Sequence, residues 1–216
     1  MADECNEAEQ TRCLKPLGVE VDDELTIGTH IGNLCKRVSQ RIGVISRIRN
    51  IMPTNAKLTI YKTAVLSHLT YCSTVWHFCK VADKRKIERL QEKALRVVYC
   101  DKSTPYAQLL IRANLPSLEN RRLQDIAILM YKVKNGSAPQ PIKDMFTIKE
   151  TPHELRNNNF IIPKFRTVKY GKNSIRYFGP YLWSRLERKL KGSPTMNHFK
   201  RNIRGMDIET LLDRRL

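Results

Sequence analysis

The sequence predicts a mainly α protein, with a helical bundle after a short N-terminal strand or hairpin and a basic, loop-rich C-terminal module. Apolar residues recur at spacings of three and four through much of residues 30 to 133, which is the period of helices with one buried face. Alternation typical of a strand is confined to Leu17–Val21. Beyond Pro139, prolines, asparagines and glycines interrupt the chain and little periodicity remains.

The N-terminal residues predict a leader followed by a strand. Residues 1 to 16 carry four acidic side chains and no apolar pattern, so we expect them to be disordered. The alternation around Gly18 predicts a strand over Leu17–Val21, with a turn at Asp22–Asp23. Since a lone strand is not stable in water, it requires a partner.

Two long helices are expected next. The first runs over His30–Arg49 with Ile31, Val38 and Ile42 on its apolar face. Arg41 falls on that same face, where its stem either lies along apolar surface with the head in water or points into a nucleic-acid groove. After Pro53, Thr54 or Asn55 is expected to cap a helix of about five turns that reaches Trp76.

Asp83 is expected to cap a third helix that runs through Tyr99. Arg85, Arg89 and Arg96 project from the side opposite its apolar stripe, with Glu92 alongside. This face could follow a phosphate backbone, or it could be an ordinary solvated face.

The remaining signals place four further helices and one boundary. The expected helices are Ser103 to Ile111, a helix capped by Ser117 and ended by Asn135–Gly136, Tyr181 to Leu190 after Pro180, and a last helix from Thr195 or Asn197 to Leu212. We therefore expect a leader over residues 1–16, a first unit over 17–140 and a basic tail module over 141–216.

Charge indicates the class of partner. A net charge of +18 favours a polyanion, of which nucleic acid is the commonest. The longest apolar run, Ile126–Tyr131, is far short of a membrane span, so no membrane partner is expected. Scattered cysteines without CxxC pairs, and the lack of a secretory signal, favour reduced thiols and an intracellular protein of the nucleus or cytoplasm.

Catalytic and cofactor chemistry lack support in the sequence. Polymerisation requires carboxylates that hold two divalent ions. The adjacent pair Asp22–Asp23 is the only candidate, and we predict that it forms a turn and not a metal site. Cys72, His77 and Cys79 are too loosely spaced for a zinc site and are better explained by packing. No glycine-rich phosphate loop is present. We expect no catalytic residue, no metal and no cofactor.

Cations and aromatic residues alternate in the tail, which is typical of single-stranded nucleic-acid binding. The aromatic residues could instead form a small core, and we expect Trp183 and Phe178 to be buried with the cations outside. The candidate nucleic-acid-binding residues are Arg37, Arg41, Arg85, Arg89, Arg96, Lys164, Arg166, Lys169, Lys172, Arg176 and Arg185.

Three segments resemble the C-terminal part of non-LTR (LINE-type, jockey-like) retrotransposon reverse transcriptases. LGVEVDDEL (17–25) with His30–Ile31 resembles the end of the palm, residues 66–95 the segment after it, and RTVKYGKNSIRYFGPYLW (166–183) the C-terminal tail. The order matches the family, although WSRLERKL departs from the usual WN-x-LP. No YADD- or FADD-like pair is present, so we expect the back end of such an enzyme, not catalytic alone.

The resemblance implies a thumb that grips a template–primer duplex, with Arg37, Arg41, Tyr61, Tyr71, Trp76 and the Arg85–Arg96 helix on the duplex-facing surface. It implies RNA, DNA or an RNA–DNA hybrid as partner, and the rest of a reverse transcriptase, acting in trans, as a further candidate partner. The alternative is a domesticated helical protein-interaction module with no nucleic-acid role.

Overall fold

The computed structural model describes residues 13–22, 27–149 and 160–213, and this part of the chain is mainly helical, as predicted. A two-stranded antiparallel sheet joins β1 (Cys13–Leu14) to β2 (Val21–Asp22). The helices are α1 (Gly28–Ile48), α2 (Thr54–Ile60), α3 (Ser67–Thr70), α4 (Ser73–Trp76), α5 (Val81–Tyr99), α6 (Tyr106–Ala113), α7 (Leu118–Lys134), α8 (Gln140–Lys143), α9 (Ile175–Arg185), α10 (Arg188–Lys191), α11 (Met196–Arg204) and α12 (Ile208–Asp213), with π-helical turns at Tyr61–Leu66 and Val168–Lys172. None of the described helices is long and apolar enough to cross a membrane.

The N-terminal hairpin corrects two expectations. Residues 13–16, assigned to a disordered leader, are ordered, because Cys13–Leu14 pairs with Val21–Asp22; residues 1–12 and Asp23 lie outside the described residues. The expected strand over Leu17–Val21 is wrong at its start, since Leu17 and Gly18 have φ of 51° and 81° and turn the chain back. The chain thus supplies its own partner strand.

The helix expected to run from residue 54 to Trp76 is interrupted. It continues through the π-helical turn to Thr70, and Cys72 then takes a left-handed conformation with φ of 48°. The indole Nε1 of the fully buried Trp76 donates to the carbonyl oxygen of Tyr71 at 3.0 Å. Packing of this indole therefore accompanies the break.

Three expected caps have different outcomes. Pro53 precedes α2 with an extended backbone, and no side chain caps that helix, so the caps by Thr54 or Asn55 are wrong. Asp83 lies inside α5, where its carboxylate binds Lys86 Nζ at 2.9 Å, because α5 already begins at Val81. The Ser117 cap is confirmed, since its Oγ accepts a hydrogen bond from the Asn120 backbone at 2.9 Å.

Two clusters of buried apolar side chains form the core. The first joins α1, the helix around Tyr61 and α5, with Val38, Ile42 and Ile87 among its members. The second joins α7 to α9, α11 and α12, with Ile126 and Trp183 among its members. The two clusters meet within α7, where Leu118 belongs to the first and Leu123 to the second. Helix α7 lies in the expected first unit of residues 17–140, yet most of its buried side chains pack against helices of the tail. The domain boundary near residue 140 stays a prediction.

The C-terminal helices differ from the expected ones. Helix α9 begins at Ile175 and contains Pro180, although a start after Pro180 was expected. A proline inside a helix removes one backbone hydrogen bond, and the burial of Leu182 and Trp183 from the same helix offsets that cost. The last helix is split, because the chain leaves α11 at Gly205 and re-enters a helix at Ile208.

A polar clamp holds the C-terminal helices on α7. The side chain of Asn120, which is buried, accepts from the Ile208 backbone N–H at 2.8 Å and donates to the Met206 carbonyl at 3.0 Å. Gln124 donates to the same Met206 carbonyl at 3.0 Å. Buried backbone groups require hydrogen-bond partners. This clamp provides them for the Ile208 N–H and the Met206 carbonyl, in the turn between α11 and α12.

Replacing Asn120 with alanine should lower the free energy of unfolding by about 1–3 kcal/mol, because it leaves a buried N–H group without an acceptor. Urea unfolding measures the change. The matched control is Asn202→Ala, which removes an exposed asparagine from α11 and should change stability by less than about 0.5 kcal/mol. Equal effects of the two substitutions would contradict the clamp.

Replacing Gly43 with alanine should stabilise the protein by about 0.5–1 kcal/mol. Gly43 lies inside α1, and a Cβ atom there would meet nothing within 4 Å apart from its chain neighbours and the backbone of its own helix. Gly136 is the control, since its φ of 70° makes alanine strained there in spite of open space. Urea unfolding should therefore show opposite signs for Gly43→Ala and Gly136→Ala, and a loss of stability at both positions would refute this reading of α1.

Candidate nucleic-acid interface

Helices α1 and α5 lie side by side and run parallel. Their first residues, Gly28 and Val81, line one cavity of about 590 Å³. The residues at and beyond their C-terminal ends, including Arg49 and Cys100, line another of about 290 Å³. The two longest helices of the first cluster therefore run in the same direction and share a cavity at each end.

The exposed face of α1 is free of acidic residues. Its 21 residues include no Asp or Glu, and Arg37 and Arg41 are both exposed. Neither makes an ion pair with any acidic side chain that the structure describes. The pKa of His68 is lowered by partial burial and by the positive charges of Arg41 and Arg37, so this histidine lies beside both guanidinium groups. The structure brings Arg37 and Arg41 together, as the candidate site requires.

The three arginines of α5 do not form one set. Arg85 and Arg89 are exposed, and neither pairs with an acid in the described ranges. Arg96 is half-buried, with Nη2 at 2.7 Å from Glu92 Oε1 and Nη1 donating to the Lys102 carbonyl at 2.9 Å. Arg96 therefore holds the C-terminal end of α5, whereas Arg85 and Arg89 are available to a ligand.

The sequence analysis missed several exposed cations on these two helices. Lys36 and Arg47 lie on the outer face of α1, and Lys86 and Lys93 lie on α5. Lys86 is on the side that faces α1, because its charge opposes the rise that burial causes in the pKa of the Cys35 thiol. A helical wheel of α1 could have found Lys36 and Arg47, which lie far from its apolar stripe.

The tail contributes cations in two places. Lys164, Arg166 and Lys172 are exposed, in the extended stretch and in the π-helical turn that follows it. Lys169 and Tyr170 of that turn line the cavity at the N-terminal ends of α1 and α5. The structure thus brings this part of the tail to the α1–α5 pair.

The last two candidate cations lie on α9. Arg176 is exposed in its first turn. Arg185 is half-buried at the last turn, with its guanidinium carbon 5.1 Å from the centre of the Tyr181 ring. Arg185 already has an aromatic partner, so it is the weaker candidate of the two.

Two of the three aromatic residues in the expected duplex-facing set are buried, which corrects that set. Tyr61 and Trp76 are fully buried, and they cannot contact a duplex. Tyr71 is exposed, and its hydroxyl donates to the Leu17 carbonyl at 2.9 Å. Trp183 is buried as expected, whereas Phe178 is only half-buried.

His77 is buried against aromatic rings. Its ring lies 5.0 Å from that of Phe78 and 5.2 Å from that of Phe178. Over the described ranges, no group of three His, Cys, Asp or Glu side chains is placed to hold a metal ion. Cys72 and Cys79 are free thiols, and packing accounts for the burial of His77.

Searches of protein-family models, of curated protein sequences and of solved structures find no match to this chain. The resemblance to retrotransposon reverse transcriptases therefore stays a hypothesis that rests on the quoted residues.

Folding stability should fall as the pH decreases below the ordinary histidine pKa of 6.5, because burial, followed by the charge of Lys84, lowers the pKa of His77 to about 3. The unfolded chain takes up this proton over that window and the folded chain does not, so His77 contributes a loss of up to about 1.4 kcal/mol per pH unit. Urea unfolding of His77→Gln between pH 7 and pH 5 should show a shallower loss.

His198→Gln is the control for this measurement, because His198 is an exposed histidine on α11. Its pH dependence should match that of the unmodified chain. Indistinguishable slopes for His77→Gln and the unmodified chain would show that His77 is accessible to protons in the folded state.

Proposed function

We propose that this chain binds a nucleic-acid duplex of the template–primer type as the thumb-like C-terminal part of a non-LTR retrotransposon reverse transcriptase. The exposed, acid-free face of α1 with Arg37 and Arg41 carries this proposal, and Arg85 and Arg89 of α5 provide a second exposed pair of cations. A polyanion is the partner that such a face attracts, and each neutralised phosphate releases condensed counterions.

The geometry suits the backbone of a nucleic acid rather than its bases. Helices α1 and α5, of 21 and 19 residues, are each about 30 Å long at 1.5 Å per residue, and their exposed cations occupy part of that length. Arg37 and Arg41 are one turn apart, as are Arg85 and Arg89, so each pair can contact neighbouring phosphates. Such contacts give affinity and register without reading sequence.

The proposed role is to hold nucleic acid, not to polymerise it. The quoted segments resemble the end of the palm, the thumb and the tail, so polymerisation would need a catalytic palm supplied in trans by the rest of a reverse transcriptase. RNA, DNA and the RNA–DNA hybrid are all candidate ligands, and the corresponding location is intracellular, in the nucleus or the cytoplasm.

Binding of a labelled RNA–DNA hybrid to the full chain should weaken steeply as salt increases. Replacing Arg37, Arg41, Arg85 and Arg89 together with glutamine should weaken binding at low salt. It should also reduce the slope of log K against log salt by about 0.9 per lost phosphate contact. Fluorescence anisotropy over a salt series gives both quantities.

A control of equal charge replaces Arg188, Lys189, Lys200 and Arg201, four exposed cations of α10 and α11, with glutamine. This variant should retain most of the affinity and the slope. Equal losses in the two variants would mean that net charge alone drives binding, and no binding by the folded chain at low salt would remove the proposal. Replacing Arg96 alone should leave the slope unchanged, because its guanidinium is already paired.

A further inference from the structure

A second surface of a different character lies at the N-terminal ends of α1 and α5. The cavity of about 590 Å³ described above adjoins another of about 390 Å³. Val75 and Phe78 line both cavities, so the two form one groove with this pair at its middle.

One end of the groove is apolar. It is lined by Leu129, Ile142, Met145, Phe146 and Ile175, with Thr74 as its polar member. Val75 is 53% exposed and Met145 37% exposed. Apolar side chains grouped in a concave, exposed surface are typical of binding sites rather than of ordinary surface.

The other end of the groove is cationic. Lys80 lines it together with the exposed side chain of Val81, and Lys169 lines it with its Nζ 4.9 Å from the centre of the Tyr170 ring. The first turn of α1 also opens into this end, and Ile27, the residue before it, provides no side-chain cap. Among the described residues that line this end, the acidic one is Asp83, whose carboxylate is paired with Lys86 Nζ at 2.9 Å. The ligand that complements this end carries negative charge.

We propose that the groove binds an acidic peptide segment of a partner protein, with aliphatic or aromatic side chains in the apolar end and carboxylates beside Lys80. The residues that line the groove predict the composition of both parts of the peptide. The apolar walls bury apolar side chains, and the cationic end favours Asp or Glu. The net charge of +18 accelerates the approach of an acidic segment.

Nucleic acid does not fit the whole groove. A polynucleotide carries a charge at every phosphate, whereas the described residues that line the apolar end include no cation and have Thr74 as their polar side chain. Burying a phosphate there would leave its charge without a partner. The groove is therefore distinct in chemistry from the exposed cations of α1 and α5.

Selection of random dodecapeptides displayed on phage against the full chain tests this proposal. The selected peptides should combine Asp or Glu with Leu, Ile, Phe or Trp. A synthetic, fluorescein-labelled copy of the most enriched peptide should bind the chain at least tenfold more weakly after Val75→Asp, and again after Met145→Asp. Both positions are exposed, so both variants should keep the melting temperature of the parent.

Two controls separate the groove from general effects. Ile111→Asp places the same charge on an exposed isoleucine of α6 and should leave peptide affinity unchanged. The affinity of Val75→Asp for the RNA–DNA hybrid should stay within twofold of the parent, so failure of the nucleic-acid proposal would not affect this one. In Lys80→Glu, a peptide with Lys in place of its acids should bind better than the original peptide does.

Several results would overturn the proposal. These are the absence of enriched peptides, enriched peptides without acidic residues, and binding that survives both groove substitutions. Light scattering that shows a dimer abolished by Val75→Asp would assign the groove to a second copy of the chain. Binding to anionic lipid vesicles that is lost in Val75→Asp would assign it to a membrane surface.

Discussion

Helix α7 is the element on which the rest of the structure depends, because it is buried on most sides and belongs to both hydrophobic clusters. Its polar side chains must therefore find partners inside the protein. Asn120 and Gln124 bind the turn before α12, while Glu119 binds Lys84 of α5 at 3.0 Å and also Arg122. Arg122 is fully buried, with its guanidinium carbon 5.2 Å from the Trp76 ring centre. The Lys84–Glu119 ion pair thus links α5, which carries Arg85 and Arg89, to α7.

The exposed cations of α1 and α5 work against folding rather than for it. Two like charges 10 Å apart in water repel by about 0.4 kcal/mol, and salt screens much of that repulsion. The paired cations of the described residues have structural roles, as in Arg96 with Glu92 and Arg204 with Asp125. Burial of Val38, Ile42 and Ile87 supplies the stability that allows the unpaired ones to remain exposed. An uncompensated charge kept on a folded surface is typical of a binding face.

Local signals predicted the elements that local interactions determine. The Ser117 cap and the Asn135–Gly136 end place α7 correctly, since each acts within one turn of the helix. The break at Cys72 and the turn at Leu17 could not be read from the sequence, because both put a non-glycine residue at positive φ, which only packing stabilises. For the candidate site, the helical periodicity of the sequence placed Arg85 and Arg89 on the outer face of α5. Glu92 lies four residues before Arg96, and this spacing already indicated an ion pair between them. The burial of Tyr61 and Trp76 required the tertiary structure.

Binding in the groove and binding at the exposed arginines of α1 and α5 depend on different interactions. Nucleic acid held through phosphates gains mainly from counterion release, so its affinity falls with every increase in salt. A peptide seated over Val75 and Met145 also buries apolar side chains, each contributing about 1.5–3 kcal/mol that salt does not screen. Both ligands are anionic, and Lys80 and Lys169 lie where the groove meets the ends of α1 and α5. The two ligands therefore compete for the positive charge at that end. At high salt the peptide should keep more of its affinity than nucleic acid does, because its apolar contacts are not screened.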